Sequence, residues 1–152
     1  IFYEQSLRGI SIEKGNLIHE LMSLISSPTD VGITMNHFLD NGTINMDQYK
    51  ELNPLVLSII NHPDIKEYYN SNLVSYNERE IIQKNDKNLR PDRIVFNKDN
   101  KAIIIDYKTG NPNSYHKKQL DEYENALKKI GITTLKKLLI YIEKESVMVK
   151  NC

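Results

Sequence analysis

The chain of 152 residues is 39% hydrophobic and 26% charged, which is ordinary for a single globular domain with one core. Its 20 lysine and arginine residues balance its 20 aspartate and glutamate residues. The chain therefore lacks the basic excess typical of nucleic-acid-binding proteins, although basic patches can offset an acidic metal site. The single cysteine, Cys152, excludes an internal disulfide and a cysteine-ligated zinc or iron–sulfur site.

Nothing in the sequence indicates a membrane-spanning or secreted protein. No apolar run approaches the length of a membrane span and no signal peptide is visible, so we expect an intracellular, cytoplasmic domain. The sequence begins with Ile1 rather than methionine. We therefore expect a piece of a longer chain, in which residues 1–152 form a single domain.

The first half of the chain has the apolar spacing of helices. Ser26-Ser27-Pro28 ends the first helix and Asn41-Gly42 ends the second. Pro54 falls inside the third, so a kink or a split in that helix stays open. The predicted helices are Glu13–Ile25, Thr29–Leu39, Met46–Ile60 and a short one at Ile65–Tyr69.

The second half changes to the period of strands, with turn signals at 85–88 and 97–100. The predicted strands are Leu73–Ile82, Leu89–Phe96, Ala102–Tyr107, Leu138–Ile142 and Val147–Val149. An amphipathic helix at Ser114–Ile130, closed by Gly131, separates the third strand from the fourth. We therefore predict an α/β (mixed α+β) fold with a central mixed sheet flanked by helices and a helical N-terminal half.

Two acids, Asp92 and Asp106, stand near the start of one predicted strand and the end of the next. If these strands form a hairpin, both carboxylates reach the same end of the sheet. Crowded carboxylates raise each other's pKa unless a cation lies between them, and hard oxygen ligands suit Mg²⁺ or Mn²⁺. The alternative is structural: Asp92 belongs to a loop after Pro91, and Asp106 pairs with Arg93 or Lys108.

Lys108 follows Asp106 on the same side of the strand, where it can stabilise charge on a phosphate beside a metal. The alternative is an ordinary solvated lysine. His19, on the first helix, can join a metal shell as a nitrogen ligand, with Gly15 allowing close approach of another chain segment. A hydrogen-bonded core histidine is the alternative.

Gln119 and Tyr123 lie one turn apart on the helix that follows Lys108, so they share one face. They can contact a phosphate or a base, or Tyr123 can simply pack in the core. Glu78 and Glu80 are expected on one face of the preceding strand, where either can add a carboxylate to the site. Lysine pairs, among them 136–137, can contact phosphates or be solvated.

The order of these residues resembles the PD-(D/E)xK nuclease superfamily, and most closely its RecB/AddA-type branch. The resemblance covers nearly the whole chain and is most specific in its second half. The matching segments are Gly15-x-x-x-His19, Glu78, Pro91-Asp92, Asp106-Tyr107-Lys108-Thr109-Gly110 and Gln119-x-x-x-Tyr123.

The resemblance implies a restriction-endonuclease-like core and a role for each matched residue. His19, Asp92, Asp106 and the backbone carbonyl of Tyr107 would ligate Mg²⁺ or Mn²⁺. Lys108 would be the catalytic lysine and Glu78 a supporting acid. Gln119 and Tyr123 would bind DNA.

The chain departs from relatives in two respects. Many have glycine where this chain has Arg90, which can reshape the approach to the metal or contact a phosphate. Several bind an iron–sulfur cluster, which one cysteine cannot hold.

We therefore expect a metal-dependent DNA nuclease, a RecB-like exonuclease domain of DNA repair and recombination. The resemblance also implies that it is the C-terminal part of a helicase–nuclease near the nucleoid, acting on single strands or duplex ends. The alternatives are a catalytically inactive DNA-binding domain, a partner-docking domain of a repair complex, and a stand-alone restriction- or junction-type endonuclease.

Overall fold

The computed structural model describes residues 10–81 and 88–152 of the chain. These fall into two units. A helical unit contains the described residues up to Ser71 together with Glu143–Val147, and a sheet unit contains the described residues of Asn72–Ile142 together with Met148–Cys152. In these two ranges no helix has the length and apolar character needed to span a membrane. That residues 1–152 act as one nuclease domain stays a prediction.

The helical unit contains three α-helices, close to the predicted ranges. They are α1 (Ile12–Ser23), α2 (Thr29–Asp40) and α3 (Met46–Ile60), followed by a 3-10 turn at Lys66–Tyr68. Ser11 caps α1 by accepting a hydrogen bond from the Lys14 backbone, and Asn45 with Gln48 forms a capping box at α3. α3 runs unbroken through Pro54, so the alternative of a split is excluded.

The sheet unit confirms the predicted α/β fold. Its sheet has five strands, which all belong to this unit except for Val147: β1 (Val74–Asn77), β2 (Arg93–Phe96), β3 (Ala102–Lys108), β4 (Thr134–Ile142) and β5 (Val147–Asn151). They lie side by side in chain order, with β1, β2 and β3 antiparallel and β3 parallel to β4. The helix α4 (Ser114–Lys129) connects the two parallel strands, as such a connection requires.

The strands before the hairpin are shorter than predicted. β1 ends at Asn77 because Glu78 adopts a left-handed backbone conformation, with φ of 52°. Beyond it, Ile81 pairs with Leu89 only through an isolated bridge, and residue 82 lies outside the described residues. The prediction that Glu78 and Glu80 alternate on one face of a strand is therefore wrong.

α4 packs one apolar face against the sheet. Ile94, Ile104 and Leu139 of the sheet form one buried cluster with Leu120 and Leu127 of α4, together with Tyr123, Ala126 and others. The predicted helical face is confirmed except at Ile130, which follows the helix and is 60% exposed. Gly131 closes the helix with φ of 86°, as expected. Because side chains alternate along β3, the face that carries Ile104 also carries Asp106 and Lys108.

Candidate active site

Asp92 and Asp106 meet at one end of the β2–β3 hairpin. Asp92 directly precedes β2, where the register pairs Arg93 with Ile105, so Asp106 lies opposite it. The Asp92 backbone N–H donates to Asp106 Oδ1 at 2.9 Å, and the Tyr107 backbone N–H donates to Asp92 Oδ2 at 2.8 Å. The two acids therefore hold each other's strands in register, which confirms their predicted convergence at one end of the sheet.

This pairing concentrates negative charge in a buried place. Asp106 is only 2% exposed. Burial, and next the negative charge of Asp92, raise the pKa of Asp106 to about 7, although the Asp92 backbone N–H and the Lys108 ammonium oppose the rise. The site therefore favours a proton or another cation at Asp106 near neutral pH.

Lys108 lies between the sheet and α4. Its Nζ atom lies 3.6 Å from Asp106 Oδ2 and donates to Gln119 Oε1 at 2.7 Å. Its side chain is 19% exposed, so the alternative of an ordinary solvated lysine is wrong. The structural alternative of an Asp106–Lys108 contact is found, whereas Arg93 donates through Nη1 to Asn77 Oδ1 at 2.9 Å.

Gln119 and Tyr123 share one face of α4, as predicted, but they contact different parts of the site. Gln119 holds Lys108, while the Tyr123 hydroxyl donates to the Arg90 carbonyl at 3.5 Å. Tyr123 is also buried in the core cluster. Burial, followed by the charges of Asp106 and Asp92, raises the pKa of Tyr123. Its hydroxyl therefore lies within electrostatic reach of the acids.

Glu78 lies beside the acid pair through its backbone. Its N–H donates to the Asp92 carbonyl at 3.0 Å, and its Oε2 lies 3.1 Å from Arg90 Nε. This ion pair was not predicted, although the opposite charges at the two ends of the β1–β2 connection are a signal for it. Arg90 is therefore held by an acid next to the site.

His19 is placed on α1, in the helical unit. Its Nδ1 atom donates to the Gly15 carbonyl at 3.0 Å, so the neutral ring has Nε2 as its unprotonated nitrogen. That is the nitrogen a metal ion would require. Because Asp92 and Asp106 belong to the sheet unit, ligation of one ion by all three residues stays a prediction.

The donor set of the sheet unit fits a hard divalent cation. Asp92 and Asp106 supply carboxylate oxygens, and the carbonyl of Tyr107 belongs to the residue between Asp106 and Lys108. Within the part of this unit that the structure describes, no third His, Cys, Asp or Glu side chain completes a group able to hold a metal. Mg²⁺ commonly takes only one or two carboxylates from a protein and completes its shell with water and substrate phosphate, and Asp92 with Asp106 matches that number.

Sequence reasoning missed a hydrogen-bonded histidine beside Lys108. Asn113 caps α4, because its Oδ1 atom accepts hydrogen bonds from the backbone N–H groups of Tyr115 and His116. The Nδ2 atom of Asn113 then donates to His116 Nε2 at 3.2 Å. His116 Nδ1 then carries the proton and donates to the Tyr141 hydroxyl at 2.9 Å. Burial, and next the Lys108 charge, lower the pKa of His116. A neutral imidazole therefore lies near the lysine.

An open cleft adjoins these residues along α4. It has a volume of about 520 Å³. We name it the α4 cleft. Its lining residues are Glu80, Asn88, Leu89, Arg90, Tyr115, Gln119, Glu122 and Tyr123. Gln119 and Tyr123 belong both to this lining and to the contacts around the acids.

The sequence matches no protein-family model and no curated protein. Its function is therefore inferred from the chemistry of the site and the order of its motifs.

Proposed function

We propose that this chain is a divalent-metal-dependent deoxyribonuclease that hydrolyses phosphodiester bonds. One observation carries the proposal: buried Asp106 is held against Asp92, and the ammonium of Lys108 lies 3.6 Å from it. A buried carboxyl with a raised pKa, such as that of Asp106, is costly to maintain as a purely structural feature, and perturbed carboxylates cluster at functional sites.

Asp92 and Asp106 would hold the ion. A bound Mg²⁺ or Mn²⁺ supplies Lewis-acid stabilisation of charge on the scissile phosphate. Asp106 must lose its proton to act as a ligand, which its pKa near 7 allows under neutral conditions. The backbone hydrogen bonds from Asp92 and Tyr107 fix the orientation of both carboxylates before substrate arrives.

Lys108 would act on the phosphate. Its ammonium group orients the attacking water and stabilises the negative charge that develops during in-line displacement. Gln119 is a neutral hydrogen-bond acceptor, so it holds the ammonium group without neutralising its charge. The positive charge of Lys108 is thus directed by Gln119 and remains available to the substrate.

The finer assignment is supported by the resemblance to RecB/AddA-type nucleases. We propose an exonuclease domain of DNA repair and recombination that works with a helicase module in the cytoplasm, at the nucleoid. Single strands and duplex ends are its expected substrates, and no iron–sulfur cluster is needed.

The test is cleavage of end-labelled linear single- and double-stranded DNA with Mg²⁺, Mn²⁺ or EDTA. We expect cutting that requires metal and falls about 100- to 1,000-fold in Lys108→Ala. Lys98→Ala is the matched control, because Lys98 is exposed in the turn at the other end of the β2–β3 hairpin. Absence of cutting in every metal, or full activity in Lys108→Ala, would contradict the proposal. DNA binding without cutting would instead support the inactive alternative.

A further inference from the structure

The α4 cleft places an exposed aromatic ring close to the candidate active site. Tyr115 lies in the first turn of α4 and is 63% exposed, although large aromatic side chains usually bury most of their surface. Gln119 and Tyr123 follow it at intervals of one turn along the helix. The three side chains therefore form one stripe that lines the cleft, and Gln119 within it contacts Lys108 beside the acid pair.

The chemistry of the lining suits a nucleobase better than a phosphate. Glu80 and Glu122 bring negative charge into the cleft, and Glu78 compensates the charge of Arg90 in the lining, so the cleft disfavours the backbone of a nucleic acid. Carboxylates and the side-chain amides of Asn88 and Gln119 accept or donate hydrogen bonds to the edges of bases. An exposed tyrosine ring offers a stacking surface to any base.

The position of the cleft relates its occupant to the bond that is cut. Gln119 lines the cleft and also accepts the hydrogen bond of Lys108, so one side chain joins both places. A strand whose scissile phosphate lies at Lys108 would therefore have its adjacent nucleotide beside Gln119, at the cleft. Bases within a duplex are stacked and paired, so only an unpaired base can enter.

We propose that the α4 cleft binds one unpaired base of the DNA strand being cut, stacked on Tyr115. This rests on the proposed nuclease function and makes it more specific: the strand is single-stranded next to the scissile bond. Stacking of this kind makes the site tolerant of sequence, because every base has a π-face.

The experiment is an abasic scan. A set of single-stranded oligonucleotides, each with one abasic nucleotide at a different position, is titrated against the protein by fluorescence anisotropy in Ca²⁺ and cut in Mn²⁺. We expect one position at which loss of the base weakens binding and cutting by about tenfold. A scan with no such position would overturn the inference.

Three variants test the role of Tyr115. Tyr115→Ala and Tyr115→Leu are expected to weaken binding of the intact oligonucleotide about tenfold and to remove the position effect, whereas Tyr115→Phe keeps both. The side chain is exposed, so none of these changes should unfold the domain. A position effect that persists in Tyr115→Ala would overturn the inference.

The two proposals fail in different ways. Cutting without any abasic position effect would reject the base site and leave the nuclease standing. A Tyr115-dependent position effect in binding, with no cutting in any metal, would support the base site and reject hydrolysis.

Discussion

Two lysines of the sheet unit reach from a strand to α4, and they have opposite surroundings. Lys137 of β4 donates to Asp121 and Glu124 at 2.7 and 2.9 Å, and both acids are on the helix and partly exposed. Lys108 of β3 instead donates to the neutral Gln119, and its nearest acid, Asp106, is buried in the sheet.

The difference separates a structural ion pair from a candidate catalytic one. Two acids compensate the charge of Lys137: its burial lowers the pKa, but the hydrogen bonds and charges of Asp121 and Glu124 together outweigh burial and raise it. Lys108 does not compensate Asp106 in the same way, since the pKa of Asp106 stays raised to about 7 beside it. The charges around Lys137 compensate each other. Around Lys108, by contrast, the acids can attract a cation and the ammonium group can attract a phosphate.

Replacing each lysine by methionine tests this contrast most strongly. Lys108→Met should lower the rate of DNA cleavage about 100- to 1,000-fold, because the charge aimed at the phosphate is lost. Lys137→Met should cut DNA at nearly the wild-type rate. Single-turnover cleavage rates are the measurement. An equal loss of activity in both variants would contradict the contrast between the two lysines.

Asp106→Asn tests the burial cost in metal-free protein. The folded-state pKa of Asp106, about 7, lies above its unfolded value of 3.8, so the folded state binds the extra proton between these values. The contribution of Asp106 to stability therefore declines as pH rises from about 4 to 7. In EDTA at pH 8 the variant should be more stable than wild type, on the order of a few kcal/mol.

Urea denaturation at pH 5 and pH 8 provides the measurement. The gap between variant and wild type should be small at pH 5 and wider at pH 8. If the free energy of unfolding had the same pH dependence in both proteins, the pKa of Asp106 would not be raised in the folded state.

Gln119→Glu should convert the Lys108 cluster towards the Lys137 type. The new carboxylate would accept from the Lys108 ammonium and compensate its charge, so we expect cleavage to fall about tenfold, or ~1.4 kcal/mol in activation free energy. Thermal stability should change little. Unaltered cleavage in this variant would mean that the neutrality of Gln119 has no role.

Lys137→Met should have the smallest effect, on stability alone. We expect a loss of about 1 kcal/mol at pH 7, because both acids are partly solvated and the pair is weak. The raised pKa of Lys137 means that its contribution persists below pH 10.5 and disappears at more alkaline pH. Thermal unfolding at pH 7 and 11 would test this, and a gap that widens at pH 11 would contradict it.

Local patterns predicted the centre of the candidate site. Strand alternation placed Asp106 and Lys108 on one side, the hairpin brought Asp92 opposite, and helical spacing aligned Gln119 with Tyr123. These relations depend on residues close in sequence or on one strand pairing.

Two kinds of feature were not predictable from the sequence: unusual backbone conformations, and contacts between residues that are far apart in the chain. The left-handed Glu78 shortened β1, since a non-glycine residue gives no warning of positive φ. The sequence predicts a solvated or phosphate-binding Lys137, whereas its pairing with Asp121 and Glu124 follows from the parallel register of β3 and β4 and the docking of α4. The His116–Tyr141 contact has the same origin.

The claim that Asp92 and Asp106 form a cation site is tested most directly by calorimetric titration with Mn²⁺ at pH 7. The account predicts binding by wild type with release of a proton from Asp106, seen as a heat that changes with the ionisation enthalpy of the buffer. Asp106→Asn should lose this binding, and Asp99→Asn, in the exposed turn at the far end of the hairpin, should keep it. Equal Mn²⁺ binding by wild type and Asp106→Asn would contradict the account.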